Sequence, residues 1–248
     1  MPAVTIDPRL HDAVIFDLDG VVTDTACIHA AAWKATFDDF LSRRPGVEGE
    51  NHAPFTDADY RDFVDGRPRL AGARDFLSSR GVTLPAGSPD EPSADTLEGL
   101  VSRKQRMFLE RLGAGVPVFQ STVELVRRLA EAGIATAVYS ASRNCEHILR
   151  EAGLEALFTV RVDGIVAADL GLRGKPDPEM LVETVGRLGA LPERSVVVED
   201  AQAGVEAGRN GGFALVIGVD RTGHAEQLVL HGADVVVGDL AAVAVRKG

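Results

Sequence analysis

Two aspartates one residue apart, Asp17 and Asp19, follow the apolar run "AVIF" and precede Gly20 in "AVIFDLDGVVTDT". Carboxylates so spaced can divide phosphoryl transfer between them: one attacks phosphorus while the other, its side chain directed elsewhere, handles the proton. Two more, Glu199 and Asp200, end the run "SVVVED"; Lys175 lies in the loop "RGKPDP", and Ser140 ends "ATAVYS". Each has an ordinary reading alone, as a turn aspartate, a helix start, a cap or a solvated lysine. Together in one partly desolvated crevice, four carboxylates repel strongly, which makes most sense around a hard divalent cation with oxygen ligands, by default Mg²⁺. The expected site therefore joins Asp17, Asp19, Glu199 and Asp200 to Mg²⁺. Ser140 and the backbone amides near it would hold phosphoryl oxygens, and Lys175 would neutralise charge on the transferring group.

These residues need a scaffold that brings strand ends together. Five short apolar runs read as strands buried on both faces: "AVIF" at 13–16, "ATAVYS" at 135–140, "SVVVED" at 195–200, "ALVIGV" at 214–219 and "ADVVV" at 233–237, with "FTVRVD" at 158–163 a weaker sixth. Helical periodicity lies between them, as in "STVELVRRLAEAG", with Ser121 as cap and Gly133 as stop, and in "NCEHILREAGL", "PEMLVETVGRLGAL" and "AGVEAGRNGG". Strands alternating with such helices imply an α/β fold, a doubly wound parallel sheet whose ligand site lies beyond the carboxyl ends of the strands.

From Thr25 to about Leu112 no buried strand is apparent. "AAWKATFDDFL", "RDFLSSRG" and "LEGLVSRKQRMFLERL" read as helices, and "RRPGVEGENHAP" and "LPAGSPDEPSAD" as polar turns. The expected organisation is a discontinuous catalytic core, 1–24 and 115–248, with an inserted α-helical cap over 25–114. Because the insertion begins directly after the aspartate pair, it can close over a site at that edge.

Composition narrows the ligand class. The 248 residues carry a formal net charge of −11, which repels nucleic acid and anionic lipid. Neither is expected as a partner, and a phosphorylated ligand needs local positive charge from Lys175 and the metal. The start, "MPAVTIDPRLHD", lacks a basic segment followed by an apolar one, and no apolar run approaches the roughly 18 residues of a membrane helix. A cytoplasmic monomer is expected, with Cys27 and Cys145 as free thiols.

In order and spacing, "FDLDGVVTD", "YSAS", "GKPDP" and "VVVEDAQAGVEAGRNGG" resemble the four motifs of the haloacid dehalogenase superfamily of phosphotransferases. Within that superfamily "DLDGVVTDTACIHAAAWK" looks most like the β-phosphoglucomutase group, which converts β-glucose 1-phosphate to glucose 6-phosphate through a bisphosphate. The resemblance implies a Rossmann-like core in which Asp17 is the nucleophile and Asp19 the general acid and base. It implies Mg²⁺ on Asp17, the Asp19 carbonyl, Glu199 and Asp200. Ser140, Ala141, Ser142 and Lys175 would hold the transferring phosphoryl group, and Arg143 and Asn144 the other end of the substrate. In the cap, Thr25 and His29 match residues coupling closure to placement of the acid-base aspartate. "DGRPR" resembles the loop that grips the non-transferring phosphate, with Gly66 at the turn, Arg69 as its cation and Lys104 as a further substrate contact.

Departures concern the sugar: Asp65 stands where the group can carry lysine, and "VFQST" replaces its usual tyrosine-proline-glycine segment. The favoured function is a mutase acting on a small sugar phosphate, with glucose 1,6-bisphosphate as activator and intermediate, because Arg69 and Arg143 offer a second phosphate site that a phosphatase does not need. A sugar-phosphate phosphatase is the alternative. A phosphorylatable receiver domain is a distant one, opposed by the long insertion and by serines where a receiver places its aspartate. Trp33 is expected in the core of the cap.

Overall fold

The computed structural model describes residues 4–91, 95–113 and 115–246. Six strands form one all-parallel sheet: β2 (Ala13–Asp17), β3 (Ala135–Tyr139), β4 (Val160–Val162), β5 (Ser195–Glu199), β6 (Leu215–Val219) and β7 (Val235–Val237), in the spatial order β4-β3-β2-β5-β6-β7. Every residue of β2 and β5 is buried, as expected of valine- and isoleucine-rich strands covered on both faces. The order reverses at β2, whose neighbours are β3 and β5. The crevice of such a sheet opens where the order reverses, so the carboxyl end of β2 sets the site.

Two strands were not apparent in the sequence. β1 (Val4–Ile6) and β8 (Val243–Val245) pair in parallel as a separate two-stranded sheet, with Val4 opposite Val243. Arg246 Nη1 lies 2.9 Å from Asp7 Oδ2 beside that pair.

Helices Gln120–Glu131, Cys145–Glu151, Gly164–Leu170, Glu179–Arg187, Gln202–Asn210 and Ala225–Leu230 accompany the sheet. The first begins at Gln120 rather than after Ser121, whose hydroxyl donates to Asp239 Oδ2 at 2.9 Å instead of capping the helix. The helix Gly164–Leu170, unforeseen in the sequence, is started by Asp163, which accepts from the N–H groups of Ile165 and Val166. Met180, Leu181 and Val185 share a core with Ile15, Tyr139 and Val197 from three adjacent strands.

Residues divide into two compact units, Met1–Asp24 with Val116–Gly248, and Thr25–Gly115. The second is helical: Ala26–Arg43, a short helix Asp57–Asp59 running into a π-helical turn Tyr60–Val64, then Arg69–Ser79 and Leu97–Leu112. Its core is aromatic, with Trp33 stacked on Phe37 at 4.9 Å and Phe37 against Phe76 at 4.4 Å. Trp33 is 3% exposed, a core residue as expected. Gly72 lets helix Arg69–Ser79 approach the π turn, since a β-carbon there would stand 3.1 Å from the Phe63 carbonyl oxygen. Part of the polar turn "LPAGSPDEPSAD", residues 92–94, and the expected end of the insertion at 114 lie outside the described residues.

Candidate active site

The last residue of β2 is Asp17, 4% exposed, and Lys175 Nζ donates to its Oδ1 at 2.5 Å. The same ammonium donates to Oε1 of Glu199, which ends β5 with no exposure. Glu199 Oε2 accepts from the backbone N–H groups of Asp200 and Ala201, at 3.0 and 3.1 Å. Carboxylate oxygens of Asp17, Glu199 and Asp200 all lie within 4.8 Å of one another. Asp19 is turned differently: its Oδ2 accepts from Ser140 Oγ at 3.3 Å.

Electrostatics explain what this group lacks. Burial pushes the Asp17 carboxyl well above the usual carboxylate range; Lys175 opposes the shift, and Glu199 and Asp19 add to it. Burial would lower Lys175, but Asp17 and then Glu199 outweigh it and raise the ammonium well above its ordinary value. Asp17, Glu199 and Asp200 bring together more carboxylates than the one ammonium of Lys175 reaches. The candidate ligand atoms are all hard carboxylate oxygens close to one another, so the residues fit Mg²⁺.

Main chain shapes the surroundings. Gly20 has φ 89°, and a β-carbon there would stand 1.7 Å from Asp200 Oδ2, so the turn after Asp19 needs glycine both for its conformation and for room. Arg221, in the loop after β6, donates from Nη1 to the Gly20 carbonyl and lies 3.6 Å above the Phe119 ring. Beyond β3, Ser140 Oγ accepts from Ser142 N–H at 3.0 Å and Ser142 Oγ from Asn144 N–H at 3.1 Å, which coils Ser140, Ala141, Ser142, Arg143 and Asn144 into the turn before helix Cys145–Glu151. Arg143 is exposed. The core thus gathers Asp17, Asp19, Ser140, Lys175, Glu199 and Asp200 at neighbouring strand ends.

The remaining sequence candidates belong to the helical unit. Thr25, with no exposure, precedes helix Ala26–Arg43, and its carbonyl accepts from His29 N–H at 3.0 Å. His29 Nδ1 faces Lys104 Nζ at 2.6 Å; lysine has only donors, so Nδ1 accepts. Lys104 is 4% exposed, its ammonium 4.9 Å from the Phe108 ring centroid and 5.3 Å from that of Trp33. His29, Phe108 and Trp33 all belong to the same unit as Lys104. Gly66 takes φ 68° after the π turn, and Arg69 opens the next helix with Nη1 3.2 Å from Gln105 Oε1.

The structure adds residues that sequence reasoning passed over. Tyr139 donates its hydroxyl to Glu199 Oε1 at 2.5 Å, and a β-carbon on Gly204 would meet the same oxygen at 1.9 Å. A tyrosine closing an otherwise aliphatic run beside Ser140 was the available signal, because a buried phenol needs a partner.

A fold of this topology with acids and a lysine at its strand ends defines a phosphoryl-transfer class, and comparison with known proteins agrees. Residues 11–212 match the haloacid dehalogenase-like hydrolases; the chain belongs to that family. It is 45% identical over 240 residues to a protein named beta-phosphoglucomutase from Mycobacterium bovis, covering 94% of this chain and 92% of that one. It is 29% identical to a phosphorylated carbohydrates phosphatase of Thermotoga maritima over 84% of this chain and 85% of the other. A Mycobacterium tuberculosis protein named an uncharacterized glycosyl hydrolase is 50% identical over 247 residues, all of this chain, which spans 18% of that protein's length. Among solved structures, the beta-phosphoglucomutase of Clostridium difficile superposes with a TM-score of 0.72 at 23% identity, over 93% of this chain and 92% of the other, a likeness of fold. The chain is an enzyme of this superfamily, mutase or phosphatase.

Proposed function

We propose that the chain is a β-phosphoglucomutase, interconverting β-glucose 1-phosphate and glucose 6-phosphate through β-glucose 1,6-bisphosphate. The carrying observation is Asp17, buried at the end of the central strand and held by Lys175 beside Glu199. The 45% identity to a protein of that name supports the choice of substrate.

Asp17 attacks phosphorus, the bond from phosphorus to the sugar oxygen breaks, and Asp19 gives its proton to the leaving oxygen. In the second half Asp19 takes a proton from a sugar hydroxyl, which attacks the aspartyl phosphate and frees Asp17. The Ser140–Asn144 turn and Lys175 hold the transferring group in place, and the buried ammonium opposes its charge. Bound Mg²⁺, held by Asp17, Glu199, Asp200 and the Asp19 carbonyl, would supply charge that keeps Asp17 ionised and stabilises phosphoryl oxygens.

Residues 25–114 act in this reading as the cap over the core of 1–24 and 115–248. Thr25 and His29 couple its closure to the placement of Asp19, Gly66 and Arg69 receive the second phosphate, and Lys104 is a further substrate contact. Arg143 and Asn144 touch the far end of the sugar. The net charge of −11 favours a small anionic substrate met through local cations over nucleic acid or lipid, and the reading places the enzyme in the cytoplasm as a monomer. Among the described residues no helix is long and apolar enough to cross a membrane.

A sugar-phosphate phosphatase is the second reading, favoured by the likeness to the Thermotoga phosphatase. Incubation with Mg²⁺, β-glucose 1-phosphate and a trace of glucose 1,6-bisphosphate separates the two. The mutase yields glucose 6-phosphate without free phosphate; release of phosphate in step with substrate loss rejects it.

A further inference from the structure

Tyr139 stands in register with Asp17 across the β2–β3 pair, so the two side chains leave the sheet on the same face. It has no exposure. Its hydroxyl donates to Glu199 Oε1 at 2.5 Å, and Lys175 Nζ lies 4.1 Å from its ring centroid. One side chain thus touches both of the charged groups that flank Asp17.

The acceptor sites of Glu199 show why that matters. A carboxylate offers about four lone-pair positions. Oε2 accepts from the backbone N–H groups of Asp200 and Ala201, and Oε1 from Lys175 and Tyr139; a metal on Oε1 would take the place of Lys175, which also bonds Asp17, and leave Tyr139 as the side chain that orients Glu199. Lys175 is shared with Asp17, whereas the Tyr139 hydroxyl bonds Glu199. Phenylalanine would fill the same volume with no polar atom to satisfy, and a phenol is tolerated at such depth only when bonded.

We propose that Tyr139 is a positioning residue of the phosphoryl-transfer site: its hydroxyl fixes Glu199 for Mg²⁺, and its ring face backs the Lys175 ammonium toward Asp17. The inference rests on the reading of Asp17, Glu199 and Asp200 as the Mg²⁺ site. Groups bonded to a metal's carboxylate ligands orient them, and their loss weakens metal binding by about 10- to 100-fold.

The test is Tyr139→Phe, which removes the hydroxyl and keeps the ring, read by calorimetric titration of the intact protein with Mg²⁺ alone. The Mg²⁺ dissociation constant should rise by about 10-fold or more, with the melting temperature in EDTA close to wild type. Tyr139→Met, which also removes the ring, should weaken Mg²⁺ as much and in addition lower kcat at saturating Mg²⁺. A phenylalanine variant that binds Mg²⁺ as tightly as wild type, or more tightly, overturns the proposal and leaves Tyr139 a packing residue even if the melting temperature falls. Wild-type protein that binds no Mg²⁺ would instead overturn the metal-site reading, and the role of Tyr139 with it.

Discussion

Lys175 and Asp17 meet at 2.5 Å in the interior, and the same ammonium reaches Glu199, so one lysine compensates two buried carboxylates drawn from β2 and β5. Removing one partner of a buried ion pair leaves an uncompensated charge and costs about 3–5 kcal/mol. Lys175→Met should lower unfolding stability by about that amount in metal-free buffer, measured by urea titration. Added Mg²⁺ should restore part of the loss, because a ligand of the native state stabilises it by mass action. A variant as stable as wild type in EDTA would mean that the carboxylates are protonated or hydrated without the lysine.

Asp17→Asn keeps size and removes the charge proposed to attack phosphorus. Turnover of any phosphoryl substrate should fall by at least about 10³-fold, with no acid-stable phosphate incorporated into the protein. Substantial residual turnover would take the nucleophile role away from Asp17.

Gly204 tests the site without replacing a charged group. It lies in helix Gln202–Asn210 and has no positive φ, so alanine suits its backbone and gains up to about 1 kcal/mol of helix propensity. The added carbon would nevertheless fall 1.9 Å from Oε1 of Glu199, a carboxylate held by two hydrogen bonds on each oxygen. Gly204→Ala should keep the circular dichroism of the wild type while Mg²⁺ affinity and kcat fall together by about tenfold or more. Unchanged Mg²⁺ affinity would show that Glu199 can give way cheaply.

Acid sensitivity of the helical unit has a definite source. The Arg44 side chain, through two hydrogen bonds of 2.6 Å, and then His52 hold the Glu50 carboxyl down at about 2 against an ordinary 4.5. A carboxyl depressed in the folded state stabilises fully above its unfolded value and loses that contribution as pH falls toward its folded value. Glu50→Gln should therefore melt below wild type at neutral pH, with the gap closing as pH drops from 4.5 toward about 2. A gap that is constant across that window would assign the loss to packing.

The parts of this architecture that were legible are those whose signal is local. β2 and β5 each bury five consecutive residues, and such runs announce a covered parallel strand by composition alone. β1 and β8 are three residues long and only partly buried, too short for any period. The π turn at Tyr60–Val64 has no periodicity distinct from a helix, and Asp163, which starts helix Gly164–Leu170, reads in sequence as the end of a strand. Asp17, Asp19, Lys175, Glu199 and Asp200 were visible because strand ends of a doubly wound sheet converge by topology. Tyr139 was not, since its partner lies 60 residues away and only the register of β3 and β5 about β2 brings them together.

In the proposed mutase, Arg69 is the residue that separates transferring a phosphoryl group from merely releasing it. A bisphosphate that must donate from either end needs a cation for the phosphate that is not reacting, whereas hydrolysis of a small aryl phosphate does not. Arg69 opens its helix just after the Gly66 turn, with Gln105 bonding one guanidinium nitrogen at 3.2 Å. Charge-assisted bonds from arginine to phosphate contribute about 1.5–3 kcal/mol. Arg69→Ala should therefore lower kcat/KM for β-glucose 1-phosphate by roughly 10- to 150-fold and leave p-nitrophenyl phosphate hydrolysis within about twofold. Equal losses on both substrates would place Arg69 in the structure of its unit rather than at a second phosphate, and with that the strongest argument for a mutase over a phosphatase would go.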